Sequence, residues 1–242
     1  MALIRLQKYF TDCGIMSRRA AEAEIEKGLV LVNGVTATLG CKIDPEHDVV
    51  LYKNRKIKPS QNSGTRRCTY VLLNKPVGYV STMSDEKGRP TVKDLTRGVR
   101  ARVYPVGRLD MYSEGLLLMT DDGELTNRMT HPSHGLTKTY IAKIPSSVND
   151  DDIERMSEPF EIDGRMINRP DITLLESTPT LSSVKIVLSE GRNREIRRIC
   201  ERAGLKLIGL RRVAIGELSD DSLPLGKYRF LTPDEIEYLK SI

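Results

Sequence analysis

No stretch of the 242 residues approaches the roughly 18 to 20 uninterrupted apolar positions of a membrane span, and a soluble protein is expected. The first residues, MALIRLQKYF, lack the apolar core and small-residue cleavage site of a secretory signal, which points to the cytoplasm. Cysteine is sparse and scattered, at Cys13, Cys41, Cys68 and Cys200 with no C-x-x-C pair, and His47, His131 and His134 are the only histidines. Neither a zinc finger nor a disulfide framework is expected from such spacing, and reduced thiols are the default. Without G-x-S-x-G or H-E-x-x-H, hydrolase and metalloprotease chemistries lose most of their support. Internal repeats and low-complexity segments are also lacking.

What the chain does have is an uneven distribution of charge. The net charge is +5, but residues 1–69 carry 12 Lys and Arg against 7 Asp and Glu, while residues 70–242 carry 26 of each. A basic module for a polyanion attached to a neutral body follows from that asymmetry. Within the module, Leu3, Leu6, Phe10 and Cys13 recur at helical spacing before Gly14. Ser17 is placed to cap a second helix that turns Ala20, Ala21, Ile25 and Leu29 inward and breaks near Gly28. Arg18 and Arg19 then stand in its first turn, where two cations oppose the helix dipole and are better placed if an anion comes to them. LVLVNGVTA reads as a hairpin turning at Asn33-Gly34, and VVLY follows as another strand. The polar, basic text from Asn54 to Cys68 reads as a linker.

Beyond it, strands are expected at YVLLNKP, YVSTMS, VYPVG, GLLLMT, KTYIAKI and SSVKIVLSEG, and helices at ELTNRMTH, DDIERMSE and Arg194 to Ala203. A last helix begins with Thr232 as N-cap and Pro233 in its first turn. Strands and helices mingle without a regular βαβ repeat, so the expected class is α+β with a mostly antiparallel sheet and flanking helices.

Three places carry chemistry. GRLD, residues 107–110, sets a flexible glycine, a long planar cation at Arg108 and a carboxylate at Asp110 just before the apolar run of Leu116 to Met119. Read alone, Asp110 is either a turn residue bonding its own backbone or a nucleophile or base aimed at a ligand. SEGRNREIRRICERAG, residues 189–204, predicts an amphipathic helix capped by Asn193, with Ile196, Ile199, Cys200 and Ala203 inward and Arg194, Arg197 and Arg198 crowded on one face. KTYIAKI places Tyr140 in a strand, as a core residue or as a stacking surface with a polar tip. Lys75 and Lys138 read as solvated lysines, and His131 and His134 as loop residues.

Taken in order, the helix, basic helix start and VLVNG hairpin resemble the S4 RNA-binding domain. GRLDMYSEGLLLMTDDGEL, KTYIAKI and EGRNREIRRICERAG behind it, with YVLLNKPVGYVST, resemble the RsuA/RluB/RluE/RluF family of ribosomal RNA pseudouridine synthases, in wording nearest to the RluB type. The organisation implied is an S4-like domain over 1–60, a linker over 61–69 and a catalytic domain over 70–242. The resemblance implies that Asp110 is the catalytic aspartate, Arg197 its partner with Arg194 as the alternative, and Tyr140 a residue against the flipped base. Ile196 would line the uracil pocket and Arg108 would fill the space the base vacates. Arg5, Lys8, Arg18 and Arg19 would face phosphates. No cofactor or metal is implied. The implied partner is ribosomal RNA or a ribosomal subunit precursor, most simply of the large subunit, with small-subunit RNA or transfer RNA as alternatives and a monomer as the working form. Tyr112 departs from the small or acidic residue usual in the family.

Two other functions fit parts of the text. An S4-type assembly factor without catalysis would need no Asp110, Tyr140 and Arg197 together. A metal-dependent nuclease would need Asp121 and Asp122 to converge with Asp110, whereas DDG is more simply a turn.

Overall fold

The computed structural model describes residues 3–58, 68–130 and 135–242. The chain divides into two compact units, 1–67 and 68–242. Residues 61–67 of the linker expected over 61–69, and both His131 and His134, lie outside the described residues.

In the first unit the order is β1 (Ile4–Arg5), α1 (Leu6–Asp12), α2 (Arg18–Glu26), β2 (Val30–Val32), β3 (Val35–Thr36), β4 (Lys42–Ile43), β5 (Val50–Tyr52) and β6 (Arg55–Ile57). Ser17 caps α2 by accepting the amide of Ala20, as the sequence suggests, and Gly28 follows the helix with φ +72°. Asn33 and Gly34 both have positive φ, the condition for the tight turn that joins β2 to β3. Leu6, Phe10, Ala21, Ile25 and Val30 pack into one small core. Three expectations fail here. Leu3 lies outside α1 and is exposed, because Ile4–Arg5 pairs as a strand with Lys42–Ile43. Ala20 and Leu29 face solvent, since Ala21 and Ile25 alone fill the narrow contact stripe of a nine-residue helix. The start of the polar segment at Arg55–Ile57 is a strand paired with β5, where Ile57 buries its side chain.

The second unit contains β7 (Tyr70–Lys75), α3 (Val92–Leu95), β8 (Tyr104–Pro105), β9 (Glu114–Thr120), α4 (Gly123–Thr130), β10 (Lys138–Ile144), α5 (Asp150–Ser157), β11 (Glu161–Ile162), β12 (Arg165–Met166), β13 (Asp171–Ser177), β14 (Ser182–Leu188), α6 (Glu195–Arg202), β15 (Gly209–Ile215), β16 (Leu218–Ser219), β17 (Tyr228–Phe230) and α7 (Pro233–Ser241). A nine-stranded sheet runs β13-β14-β10-β15-β9-β7-β17, with β16 on β15 and β8 on β9. The class is α+β and the sheet is antiparallel except between β9 and β15. Both faces are covered, which explains the unbroken apolar run of β9. Leu117 and Met119 join the core that contains α5 and α6, and Leu116 and Leu118 join the one that contains α4 and α7. Thr232 and Glu235 form a reciprocal capping box at the start of α7, with Pro233 in the first turn. YVSTMS is not a strand; only a bridge between Val80 and Thr91 forms, and the Ser81 hydroxyl serves the 107–110 turn instead. No described helix is long and apolar enough to cross a membrane.

The parallel pair positions the site. Tyr140 of β10 lies opposite Arg212 of β15, and Arg212 lies opposite Gly115 of β9, so the three occupy one row across adjacent strands. Gly115 has φ +110°, and a Cβ on it would overlap the Arg212 main chain. Only glycine permits that approach. Tyr140 is thereby brought to the strand that leaves the GRLD turn.

Candidate active site

The turn that carries Asp110 is fixed from three sides. Gly107 takes φ +75° and lets the chain reverse after β8, while Leu109 anchors the turn by burying its side chain. Ser81 Oγ donates to the Leu109 carbonyl at 2.7 Å and accepts from its amide at 3.1 Å. The Gly78 amide donates to the Met111 carbonyl at 2.8 Å. Beneath the turn, Lys75 is fully buried and donates to the carbonyls of Ser113 at 2.7 Å, Pro76 at 3.0 Å and Asp110 at 3.1 Å. The reading of Lys75 as a solvated residue is therefore overturned. Three carbonyls replace its water, and burial nonetheless pushes its pKa down to about 8, opposed by the nearby Asp110 charge.

Asp110 itself keeps 38% of its side chain exposed. Arg197 Nε stands 3.7 Å from Asp110 Oδ2, within ion-pair reach but too far for a hydrogen bond, and among the described residues this Nε has no hydrogen-bond partner. The same guanidinium donates through Nη2 to the Tyr112 carbonyl at 2.8 Å and to Ser113 Oγ at 3.3 Å. Arg197 thus pairs the carboxylate and holds the backbone that follows it. The other two arginines expected on its face separate from it: Arg198 pairs with Asp163 at 3.0 Å, and Arg194 stands at the helix N-cap. The cap is not Asn193 as the sequence suggested. Arg194 takes the left-handed φ of +53°, which moves the helix start by one residue, and the Glu195 carboxylate accepts the Arg192 amide at 2.8 Å instead.

A cleft opens above this turn. Asp110, Arg108, Tyr140, Arg194, Ile196 and Arg197 all line it, so every residue expected at the reacting base is brought together. Tyr140 and Ile196 are 8% and 4% exposed and form its apolar wall. Arg108 and Arg194 are exposed at its mouth. Two charged residues beside it were missed. Glu195 is 3% exposed and lines the cleft, with burial pushing its pKa up against the opposing Arg192 amide. Arg212 is 4% exposed and donates through Nε to the Leu116 carbonyl at 2.7 Å. Lys138, read as solvated, is half-buried, and its pKa is lowered by burial and by Arg212, with Glu195 acting against both. The signal for Glu195 was its place in the first turn of an amphipathic helix, one position before the inward Ile196.

Residues 69–202 match the family of RNA pseudouridylate synthases. An uncharacterized RNA pseudouridine synthase of Aquifex aeolicus is 35% identical over 99% of this chain and 94% of that protein. The chain belongs to the RNA pseudouridylate synthase family. The ribosomal large subunit pseudouridine synthase B of Bacillus subtilis is 34% identical, with 98% of this chain and 96% of that protein aligned. The dual-specificity RNA pseudouridine synthase RluF of Escherichia coli K12 is 35% identical over 96% of this chain and 77% of its own. A crystal structure of a pseudouridylate synthase superposes with a TM-score of 0.67 at 29% identity, covering 98% of this chain and 99% of that one.

Elsewhere in this pseudouridine synthase, the carboxylates considered for metals are otherwise engaged. Asp122 caps α4 and accepts the Tyr70 hydroxyl, and Asp121 accepts the Thr69 amide. Among the described residues no three His, Cys, Asp or Glu side chains converge as a metal site. In the first unit, Arg5 donates to the Gly40 carbonyl and Lys8 pairs with Asp12 at 2.7 Å. Arg18 and Arg19 are exposed in the first turn of α2, which carries no acidic residue.

Proposed function

We propose that this synthase converts a uridine of ribosomal RNA, in the large subunit, to pseudouridine, with Asp110 as the reacting carboxylate. The observation that carries the reading is the setting of Asp110: a carboxylate on a turn held by Lys75, Ser81 and Arg197, facing a cleft walled by Tyr140 and Ile196. The choice of large-subunit RNA rests on the named activity of the Bacillus subtilis relative.

The reaction breaks the N1–C1′ bond of the target uridine, turns the base in place and joins C5 to C1′, with the C5 proton released and a proton taken up at N1. Asp110 starts it by attack on C1′ or by removal of the 2′ proton; either role uses an ionised carboxylate beside the Arg197 cation. Tyr140 packs against the base and its hydroxyl assists the C5 proton, while Ile196 excludes water from the ring. Arg108, at the mouth, stacks in the gap left when the nucleotide leaves its helix, a step that costs a few kcal/mol. Residues 1–60 act as an S4-like RNA-binding unit, with Arg18 and Arg19 at the α2 N-terminus facing phosphates and Arg5 and Lys8 adding positive charge. The enzyme works as a monomer in the cytoplasm, where its ribosomal substrate is made.

Tritium release from C5-tritiated uridine in large- and small-subunit ribosomal RNA transcripts, transfer RNA and partly assembled subunits tests the reading, with native protein compared to Asp110→Asn. Release from the large-subunit RNA alone, lost in the variant, is the expected result. Release from small-subunit or transfer RNA would move the substrate, and equal release by Asp110→Asn would remove Asp110 from the chemistry. No release from free RNA or from partly assembled subunits would favour a non-catalytic assembly factor.

A further inference from the structure

Glu195 is a buried charged residue of the cleft that the proposed chemistry leaves without a task. Its side chain is almost wholly buried, and Oε2 accepts the Arg192 amide at 2.8 Å. Its other oxygen, Oε1, is buried with no hydrogen-bond partner among the described residues. A buried carboxylate oxygen left unpaired costs about 1–3 kcal/mol or more, a cost a protein bears where a ligand supplies the donor. Glu195 lines the same cleft as Asp110 and Tyr140, next to Ile196.

The chemistry of the base says which donor fits. A uracil joined to ribose through N1 has a single N–H, at N3. Exchange of N1 for C5 is a half-turn of the ring about the line through N3 and C6, which also exchanges O2 for O4. N3 lies on that axis, so its N–H keeps its position and direction while the other polar groups of the ring change places. An acceptor at N3–H can therefore hold the base before, during and after the turn without any bond at N3 breaking. Donors aimed at O2 or O4 meet the opposite oxygen afterwards and give no such continuity.

We propose that Glu195 Oε1 accepts the N3–H of the target uracil and acts as the pivot of its rotation, which also makes Glu195 a specificity-determining residue. This rests on the reading of the cleft as the uracil site. Cytosine has no proton at N3 and would set a lone pair against the carboxylate, so the same contact rejects cytidine. A site built to bond a substrate N–H rejects analogues lacking it by large factors, because its own polar group is then left unpaired.

The probe is a large-subunit ribosomal RNA stem-loop that the native protein converts, made with uridine or with 3-methyluridine at the converted position. Affinities are measured in an Asp110→Asn background, so that turnover does not intrude. With Glu195 present, the methyl group is expected to weaken binding by about 100-fold or more, and with Glu195→Ala, which removes both the acceptor and the obstruction, by less than about 5-fold. Glu195→Gln keeps the size of the side chain but has one acceptor oxygen for two donors, the Arg192 amide and N3–H, so with Asp110 intact it should convert uridine at least about 10-fold more slowly than the native protein. The same methyl penalty with Glu195 and with alanine overturns the pivot, as does a glutamine variant as fast as the native protein. If thermal unfolding shows the alanine variant to be unfolded, Glu195→Met replaces it in the binding comparison, and an equal methyl penalty with Glu195 and with methionine overturns the proposal. Failure of the native protein to release tritium would instead remove the functional reading on which the pivot rests.

Discussion

Lys75 Nζ lies 3.1 Å from the main-chain carbonyl of Asp110 and 2.7 Å from that of Ser113, so one fully buried ammonium ties both ends of the turn that presents the carboxylate. Arg197 holds the same turn as well, at the Tyr112 carbonyl and the Asp110 side chain. A nucleophile or base must sit within a few tenths of an ångström of its reacting atom, and two cations acting on one four-residue stretch provide that constraint.

Replacing Lys75 by methionine keeps the volume and removes all three donors, leaving the Pro76, Asp110 and Ser113 carbonyls short of a partner. A loss of about 2–4 kcal/mol in unfolding free energy is expected, less the desolvation cost that the buried charge no longer incurs. Urea titration at neutral pH reads it, and a midpoint within error of native would show that the lysine only fills space.

Arg197→Lys preserves the charge and cannot serve the Asp110 carboxylate and the Tyr112 carbonyl together. The expected result is a fall of about 100-fold in single-turnover conversion, with RNA affinity changed by only a few-fold. Quench-flow kinetics separates the two quantities. Equal losses in affinity and rate would mean that Arg197 contacts the RNA backbone rather than orienting Asp110.

Arg18→Gln and Arg19→Gln act on the proposed phosphate contacts of α2. Each should weaken RNA binding and lower the slope of log affinity against log salt by roughly 0.7–0.9, while conversion at saturating RNA stays near native. Fluorescence anisotropy from 50 to 300 mM salt measures the slope. An unchanged slope in both variants would assign these arginines to solvent.

Asp110 and Arg197 were singled out because they sit in dense local motifs, and the roles proposed for them come from the family resemblance that those motifs carry. GRLD and the EGRNREIRR helix start keep their neighbours close in sequence, and their glycines, carboxylates and arginines carry the pattern without any tertiary information. Lys75 was not legible. At the end of a strand and before a proline it looks solvated, and its burial depends on carbonyls 35 and 38 residues away. Asn193 was misplaced as a cap because left-handed backbone at a non-glycine residue, here Arg194, has no propensity signal. YVSTMS has the composition of a strand, but no sheet edge accepts it. The β9–β15 pair could not be read at all: strands almost a hundred residues apart meet over two register positions, and only Gly115 hints that another backbone comes close.

Acid should loosen the C-terminal end of the catalytic unit. Arg229 binds Asp220 at 2.5 Å and Glu235 at 2.7 Å, and this arginine, with help from Ser222, lowers the Asp220 pKa from 3.8 to about 2. A carboxylate whose folded pKa lies below its unfolded value stabilises the fold above about pH 4 and loses that contribution as pH falls toward 2. After allowance for partial solvent screening, about 1 kcal/mol is at stake. Arg229→Met should be less stable than native at pH 5 and lose most of that difference by pH 2.5. A constant difference across the range would assign the effect to packing of the arginine stem.

Gly115→Ala is the most severe substitution expected in this chain. The residue holds φ +110°, and an added Cβ would overlap the Arg212 backbone, which neither rotamer change nor side-chain movement can relieve. The only escape is to part β9 from β15, the pair that carries the Asp110 turn toward Tyr140. A loss above about 4 kcal/mol is expected, enough to consume much of a typical domain's stability. Thermal unfolding and tritium release should fail together in this variant. A protein that melts normally but releases no tritium would mean that the strands part locally and that their contact serves the site alone.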